Sequence, residues 1–356
     1  MPEKQQKAWF FVALLNWNKV KNDRVMPWKG EKDPYRIWLS EIILQQTRVE
    51  QGTAYFEQFV TRFPTIHDLA KAPDDEVFKL WEGLGYYSRC RNLIQTARFI
   101  SEQLSGAFPN TLEGLKQLKG VGVYTAAAIG SFAFGLPYAV VDGNVLRVLT
   151  RVFGVAEPID QRLGREKLDK LAQELIDINN PGLYNQAIMD FGATVCKPKQ
   201  PICSDCPLAG RCIALKENKQ SFYPLKSPKK ASRNRWFYYL LLEHADGFYV
   251  RQRTQKDIWQ DLYEFILIES EQVQSEVEIT QPSYWGLTKK EFPTIKLNVS
   301  DEMIHVLSHQ RIHCRFVHQV VKSTILLEGY HWVSRSQFYQ LPFPRMITRY
   351  LESKIQ

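Results

Sequence analysis

The sequence lacks any run of the roughly 18 apolar residues that a membrane helix needs, so no membrane partner is expected. The apolar stretch at 8–17 has neither the basic flank nor the cleavage pattern of a secretory signal. A cytoplasmic location follows as the expectation. Cysteine is scarce, six residues in 356, and four of the six fall between 196 and 212. So few thiols, bunched in a chain expected to stay in a reducing compartment, argue against a disulfide framework and for a metal or cluster site. Internal repeats and low-complexity tracts are also missing, which excludes solenoids and arrays.

What remains is an ordinary globular composition. At 44% hydrophobic, 356 residues can fill two cores. Lys and Arg number 46 against 38 Asp and Glu, a net charge of +8 that suits a polyanionic partner without proving one. Up to residue 216, apolar residues recur at helical spacing, for example at 35–47, 51–63, 74–81, 89–104 and 165–178. After Trp236 the texture turns to short β-rich runs at 236–242, 247–251 and 323–327, closing on an amphipathic stretch at 345–355. The expected architecture is a mainly α region at 1–216, a basic linker at 217–235 and an α+β domain at 236–356. Between 216 and 235 stand seven basic residues, one acidic residue and two prolines, a composition that suits a solvated tether or a phosphate contact.

Cys196, Cys203, Cys206 and Cys212 follow a C-x6-C-x2-C-x5-C pattern. Four thiolates this close in sequence can converge on zinc or on an iron-sulfur cluster, and ligand chemistry alone leaves both open. Lys197 and Lys199 in the first loop could turn toward a phosphate backbone. At 118–129, Gly120 and Gly122 sit between two helical stretches, where a tight turn can expose amides to a phosphate oxygen at the start of the second helix. A plain helix-to-helix turn is the alternative.

Two acids complete the pattern. Glu41 lies in a helix rich in apolar residues, and Asp142 stands where an apolar run meets a new helix. A solvated helix face and an N-cap are their ordinary explanations. Together they have a chemical use, because glycosidic cleavage commonly takes one carboxyl that donates a proton and one carboxylate that faces the oxocarbenium charge. Apolar surroundings would raise the pKa of Glu41, while helix amides and Asn144 would keep Asp142 ionised. An enzyme acting on a base inside a duplex must also unstack it, and Gln45, Gln46 and the 83–89 segment offer wedges.

The glycine hairpin, the Asp after it and the four-cysteine run, in that order, resemble the helix-hairpin-helix superfamily of base-excision DNA glycosylases and, within it, the adenine DNA glycosylases. The likeness is close over 9–216 and looser beyond. It implies a four-iron four-sulfur cluster on the cysteines and a monomeric enzyme. The implied substrate is duplex DNA with adenine opposite 8-oxoguanine or guanine. It implies that Glu41 protonates the adenine ring, that Asp142 stabilises or transiently bonds the sugar, that Tyr124 and Asn144 orient Asp142, and that Gln46 and Tyr86 probe and wedge the stack. The related endonuclease III carries, at the position matching Tyr124, a lysine that forms a Schiff base. A tyrosine cannot do so, and base removal without strand cleavage is expected.

The C-terminal region resembles the Nudix-like module that these glycosylases use to recognise 8-oxoguanine. It has no glycine-to-glutamate Nudix box with its paired acids, which leaves metal-dependent pyrophosphatase chemistry unsupported. The segment 259–265 and the loop His305-Val306-Leu307-Ser308-His309 resemble that module's own, which implies Ser308 as the residue that hydrogen-bonds the oxidised guanine. Two departures stand out. Leu307 replaces the usual Phe, and Lys29 after Trp28 replaces a frequent Arg, exchanging a planar fork for a point charge.

Overall fold

The computed structural model describes residues 3–228, 232–288, 298–307, 309–322 and 325–353. The chain divides into two compact units, Met1–Lys71 with Arg91–Pro228, and Ala72–Cys90 with Lys229–Gln356.

The first unit is helical: α1 (Glu3–Lys21), α2 (Pro34–Leu44), α3 (Val49–Arg62) and α4 (Ile66–Lys71). The chain then leaves through α5 (Asp74–Trp81) and returns along α6 (Ser88–Gln103). It continues through α7 (Leu112–Gln117), α8 (Val123–Phe134), α9 (Gly143–Phe153), α10 (Arg162–Leu175), α11 (Pro181–Thr194) and α12 (Ile213–Lys216). Local chemistry sets the starts that matter. Asp33 accepts the Tyr35 amide with Pro34 in the first turn of α2, and Asp142 accepts the Val145 amide at the head of α9. The core gathers around α9, whose Val145, Val148 and Leu149 pack with Phe10, Leu14 and Trp17 of α1 and Ile188 and Phe191 of α11. Full burial of each such side chain stabilises the fold by about 1.5–3 kcal/mol.

Residues 217–228 are not a bare tether. The amide of Ile159 donates to the Leu225 carbonyl (3.0 Å), Asp160 accepts from the Ser227 amide (2.9 Å), and Tyr223 is buried.

The second unit holds an eight-stranded mixed sheet of β1 (Arg233–His244), β2 (Gly247–Gln252), β3 (Tyr263–Glu264), β4 (Ile266–Ser270), β5 (Asn298–Val299), β6 (Met303–Val306), β7 (Gln310–Val320) and β8 (His331–Ser334). Helices α13 (Glu276–Ile279), α14 (Arg335–Phe338) and α15 (Arg345–Glu352) accompany it. Its path runs β3-β2-β1-β7-β5, with β4 on β1, β6 on β7 and β8 on β2. β1 and β7 pair in parallel from Arg233↔Gln310 to Glu243↔Val320, and the other pairings are antiparallel. The expected strands at 236–242 and 247–251 and the closing helix appear as β1, β2 and α15. The expected strand at 323–327 does not hold: Ser323 and Thr324 lie outside the described residues, and 325–327 are not strand. The long late strand is β7 instead. Its apolar residues are interrupted by His313, Arg315 and His318, so its alternation reads weakly until β1 is beside it.

Candidate active site

α2 brings Glu41 inward with Ile42 and Ile43, all three buried. Burial pushes the Glu41 carboxyl up to about 7, and the negative charge of Asp142 adds to the rise, while a hydrogen bond from the Tyr124 hydroxyl opposes it. The apolar setting expected of Glu41 is present, and Tyr124, expected to orient Asp142, hydrogen-bonds the Glu41 carboxyl and acts on Asp142 only through charge. Tyr124 stands in the first turn of α8, its own phenol held well above its usual range by burial and by the two carboxylates.

Asp142 is an N-cap as well as a site acid. Its Oδ1 accepts the Val145 amide (2.7 Å) and its Oδ2 accepts from Asn144 Nδ2 (2.7 Å). Burial raises its pKa, against those bonds and the charge of Arg147, which lower it. The helix amides thus offset desolvation without cancelling it.

Glu41, Tyr124, Asp142 and Asn144 line one cavity of about 410 Å³, a volume in the range of small-ligand sites. Trp28 and Gln186 are among its other walls. Two lysines also line it, and both ammonium groups are engaged. Lys29 Nζ donates to the Arg24 carbonyl (2.7 Å) and pairs with Asp190 (3.0 Å), and Lys32 Nζ donates to the Phe132 carbonyl (3.0 Å). Asp190 is fully buried and also takes Arg24 (2.8 Å) and Asn22 (2.9 Å).

The hairpin runs from α7 through Gly120 and Gly122 into α8. Of the two, only Gly120 needs the left-handed region, at φ +77°, and a Cβ there would lie 2.8 Å from Asn92 Cβ. Gly122, at φ −84°, is extended and open, and a Cβ added there would meet nothing within 4 Å. No side chain caps α8, so the amides of its first turn, beside exposed Gly122 and Val123, keep free donors for an anion.

The four cysteines of the run line a second small cavity at the foot of α9. Burial raises the pKa of Cys203 and Cys212 and pushes Cys206 up to about 12, so as free thiols these three stay protonated. Among the described residues no group of three or more His, Cys, Asp or Glu side chains is gathered as one metal ion would require. Lys197 and Lys199 are exposed, and Arg151 pins their loop through the carbonyls of Lys197 (2.7 Å) and Pro198 (3.1 Å).

Sequence reasoning missed Arg147. It donates to Asn144 Oδ1 (2.8 Å), the Gly192 carbonyl (2.7 Å) and the Cys196 carbonyl (2.8 Å), tying the Asp142 pair to the first cysteine. Its signal is two arginines four apart on a helix whose other residues are mostly apolar. Gly192 was missed too: a Cβ there would stand 2.7 Å from Asn144 Cβ, so this crossing of α9 and α11 admits no side chain.

Gln46 is exposed at φ +58° just past α2, and Gln45 bonds Thr125 (3.3 Å). Tyr86 is exposed at φ +48° in the second unit. Ser308 lies outside the described residues. Beside it, the Leu307 amide donates to the Gln310 carbonyl (2.8 Å), and His305 meets the Trp259 ring edge-on at 5.8 Å.

Residues 39–174 match the family model of the HhH-GPD superfamily base excision DNA repair proteins, and residues 237–353 match that of the NUDIX domain. An adenine DNA glycosylase of Buchnera aphidicola subsp. Schizaphis graminum is 38% identical over 72% of this chain and 74% of its own length. The corresponding enzyme of Buchnera aphidicola subsp. Acyrthosiphon pisum is 32% identical over 95% of this chain and 93% of its own. A solved thermostable thymine-DNA glycosylase matches 61% of this chain and 100% of its own, with a TM-score of 0.56 and 28% identity.

Proposed function

The chain belongs to the adenine DNA glycosylase family, as a DNA glycosylase of the helix-hairpin-helix superfamily, and on that footing we propose that it hydrolyses the N-glycosidic bond of adenine paired with 8-oxoguanine or guanine, without cutting the strand. The observation that carries this reading is the cavity that joins Glu41, Tyr124 and Asp142. Glu41, half-protonated near pH 7, donates its proton to a ring nitrogen of the everted adenine. The electron pair of the C1′–N bond leaves with the base. Asp142, ionised, faces the cation that forms on the sugar or bonds it transiently, and water then adds to C1′ and gives up a proton. Tyr124 sets the Glu41 carboxyl, and Asn144 sets Asp142.

The absence of strand cleavage is supported by Tyr124, a phenol that forms no imine, and by the engagement of Lys29 and Lys32 in other bonds. The amides at Gly120 and Gly122, with Lys197 and Lys199, suit phosphate contacts that fix the duplex without reading sequence. Gln46 and Tyr86 would fill the gap left by the base. The four half-buried thiols around one cavity fit a four-iron four-sulfur cluster, whose charge would offset the cost of ionising them. Bound there, it would supply a rigid cross-link of the 196–212 loop and no redox step. In this reading region 1–216 does the chemistry and region 236–356 recognises 8-oxoguanine through Ser308, with 217–235 between them. The enzyme acts as a monomer on nucleoid DNA.

Single-turnover excision by Glu41→Gln and Asp142→Asn proteins tests the mechanism. Each is expected to lose at least about a hundredfold in rate, and full activity in both would refute it.

A further inference from the structure

The exposed Tyr86 sits in a turn that belongs to the second compact unit, since residues 72–90 pack with the sheet-bearing fold. Two bonds fasten α5 there. The Tyr263 hydroxyl donates to Asp75 Oδ2 (3.3 Å), and Lys79 Nζ donates to the Leu341 carbonyl (3.2 Å). Asp75 and Lys79 are four residues apart and so share one helix face. The same fastening continues inward, because the Tyr263 amide donates to the Pro342 carbonyl (2.9 Å) and the Tyr263 ring meets Phe343 at 6.3 Å.

From α5 the linkage runs to the turn. Trp81 Nε1 donates to the Gly85 carbonyl (3.0 Å), and Arg89 lies over both the Trp81 ring (5.0 Å) and the Tyr86 ring (5.6 Å). Arg89 also donates to the carbonyls of Leu84 (3.4 Å) and Gly85 (3.3 Å). Tyr86 keeps its uncommon positive φ while 43% exposed, so its ring is presented and held from behind. In the other direction, Tyr263 closes the short segment that begins at Trp259, whose ring contacts His305 in the strand leading to Leu307.

We infer that Tyr263 is a positioning residue: through Asp75 and α5 it holds the Tyr86 ring, so that the strand end that would read the opposite base and the ring that would enter the stack move as one body. This rests on the function proposed above, and the test separates the two.

Five full-length proteins are compared: wild type, Tyr263→Phe, Tyr86→Ala, the double variant and Asp75→Asn. The readouts are the dissociation constant for a duplex holding 8-oxoguanine opposite a non-hydrolysable 2′-fluoro-adenosine, and the fluorescence of a 2-aminopurine placed next to the pair. Tyr263→Phe is expected to weaken binding about two- to tenfold, as loss of one hydrogen bond gives, and to lower the fluorescence. In the Tyr86→Ala background the same change is expected to do nothing further, because both act through one ring. Asp75→Asn, which keeps an acceptor for the hydroxyl, is expected to stay near wild type. Additive losses, or an unchanged Tyr263→Phe protein, overturn the inference. Failure of the wild type to excise adenine opposite 8-oxoguanine overturns the parent reading instead.

Discussion

The Tyr124 hydroxyl donates to the Glu41 carboxylate and lowers its pKa, while burial and Asp142 raise it, and the balance falls at about 7. One residue at the head of α8 thus tunes the acid on α2. A group that must give up a proton works best when its pKa lies near the working pH, and this pair achieves that without a cation.

The rate should follow that titration. Glu41 is active as the acid, so the single-turnover rate is expected to fall about tenfold per pH unit above roughly pH 7. Asp142 is active as the carboxylate, and since its pKa is raised, the acid limb is expected above the ordinary aspartate range. A pH profile from 4 to 9 showing a flat rate across pH 7–9 would contradict this assignment.

Removing the phenol should move the profile as well as lower it. Tyr124→Phe deletes the bond that stabilises ionised Glu41, so the basic limb is expected to shift to higher pH, with a rate loss on the order of tenfold at pH 7. A lower rate with an unmoved limb would place Tyr124's role elsewhere.

Glu41 also costs stability, and the sign is fixed by its titration. Its folded pKa of about 7 lies above the ordinary glutamate value of 4.5, so between these values the folded chain holds a proton that the unfolded chain has lost. Stability therefore falls as pH rises through that window. At pH 8 Glu41→Gln is expected to be more stable than wild type by about 3 kcal/mol, and at pH 4 the two proteins are expected to be near equal. Calorimetry at both pH values checks it.

Gly192→Ala tests the crossing of α9 and α11. The new methyl would stand 2.7 Å from Asn144 Cβ and 3.0 Å from its carbonyl oxygen. Relief requires Asn144 to move, which strains both its bond to Asp142 and its bond from Arg147. The expected outcome is a loss of about 1–3 kcal/mol in stability, with a fall in excision rate larger than the fall in DNA affinity.

Legibility in the sequence followed the range of the interactions. Asp142 could be read because an N-cap is local, and it proves to be the cap and a cavity acid at once. Glu41 stood out as a charge among Ile42, Ile43 and Leu44. Gly120 was legible as a turn, while Gly122, grouped with it, adopts an ordinary extended φ and serves by its openness. What was not legible depends on partners far along the chain. Arg147 makes sense only beside Gly192 and Cys196, and Asp190 only beside Arg24 and Lys29. Within 72–90, Asp75 and Lys79 bond Tyr263 and Leu341, each more than 180 residues away from its partner. The parallel β1–β7 register joins strands that no hairpin signal connects.

Base removal by Glu41 and Asp142 without strand cleavage is tested most directly by a single-turnover reaction on a duplex with one adenine opposite 8-oxoguanine, divided and read with and without hot alkali. Full product after alkali and none before it is the predicted result. Breaks that appear without alkali, trapped by borohydride as a protein-DNA adduct, would contradict it.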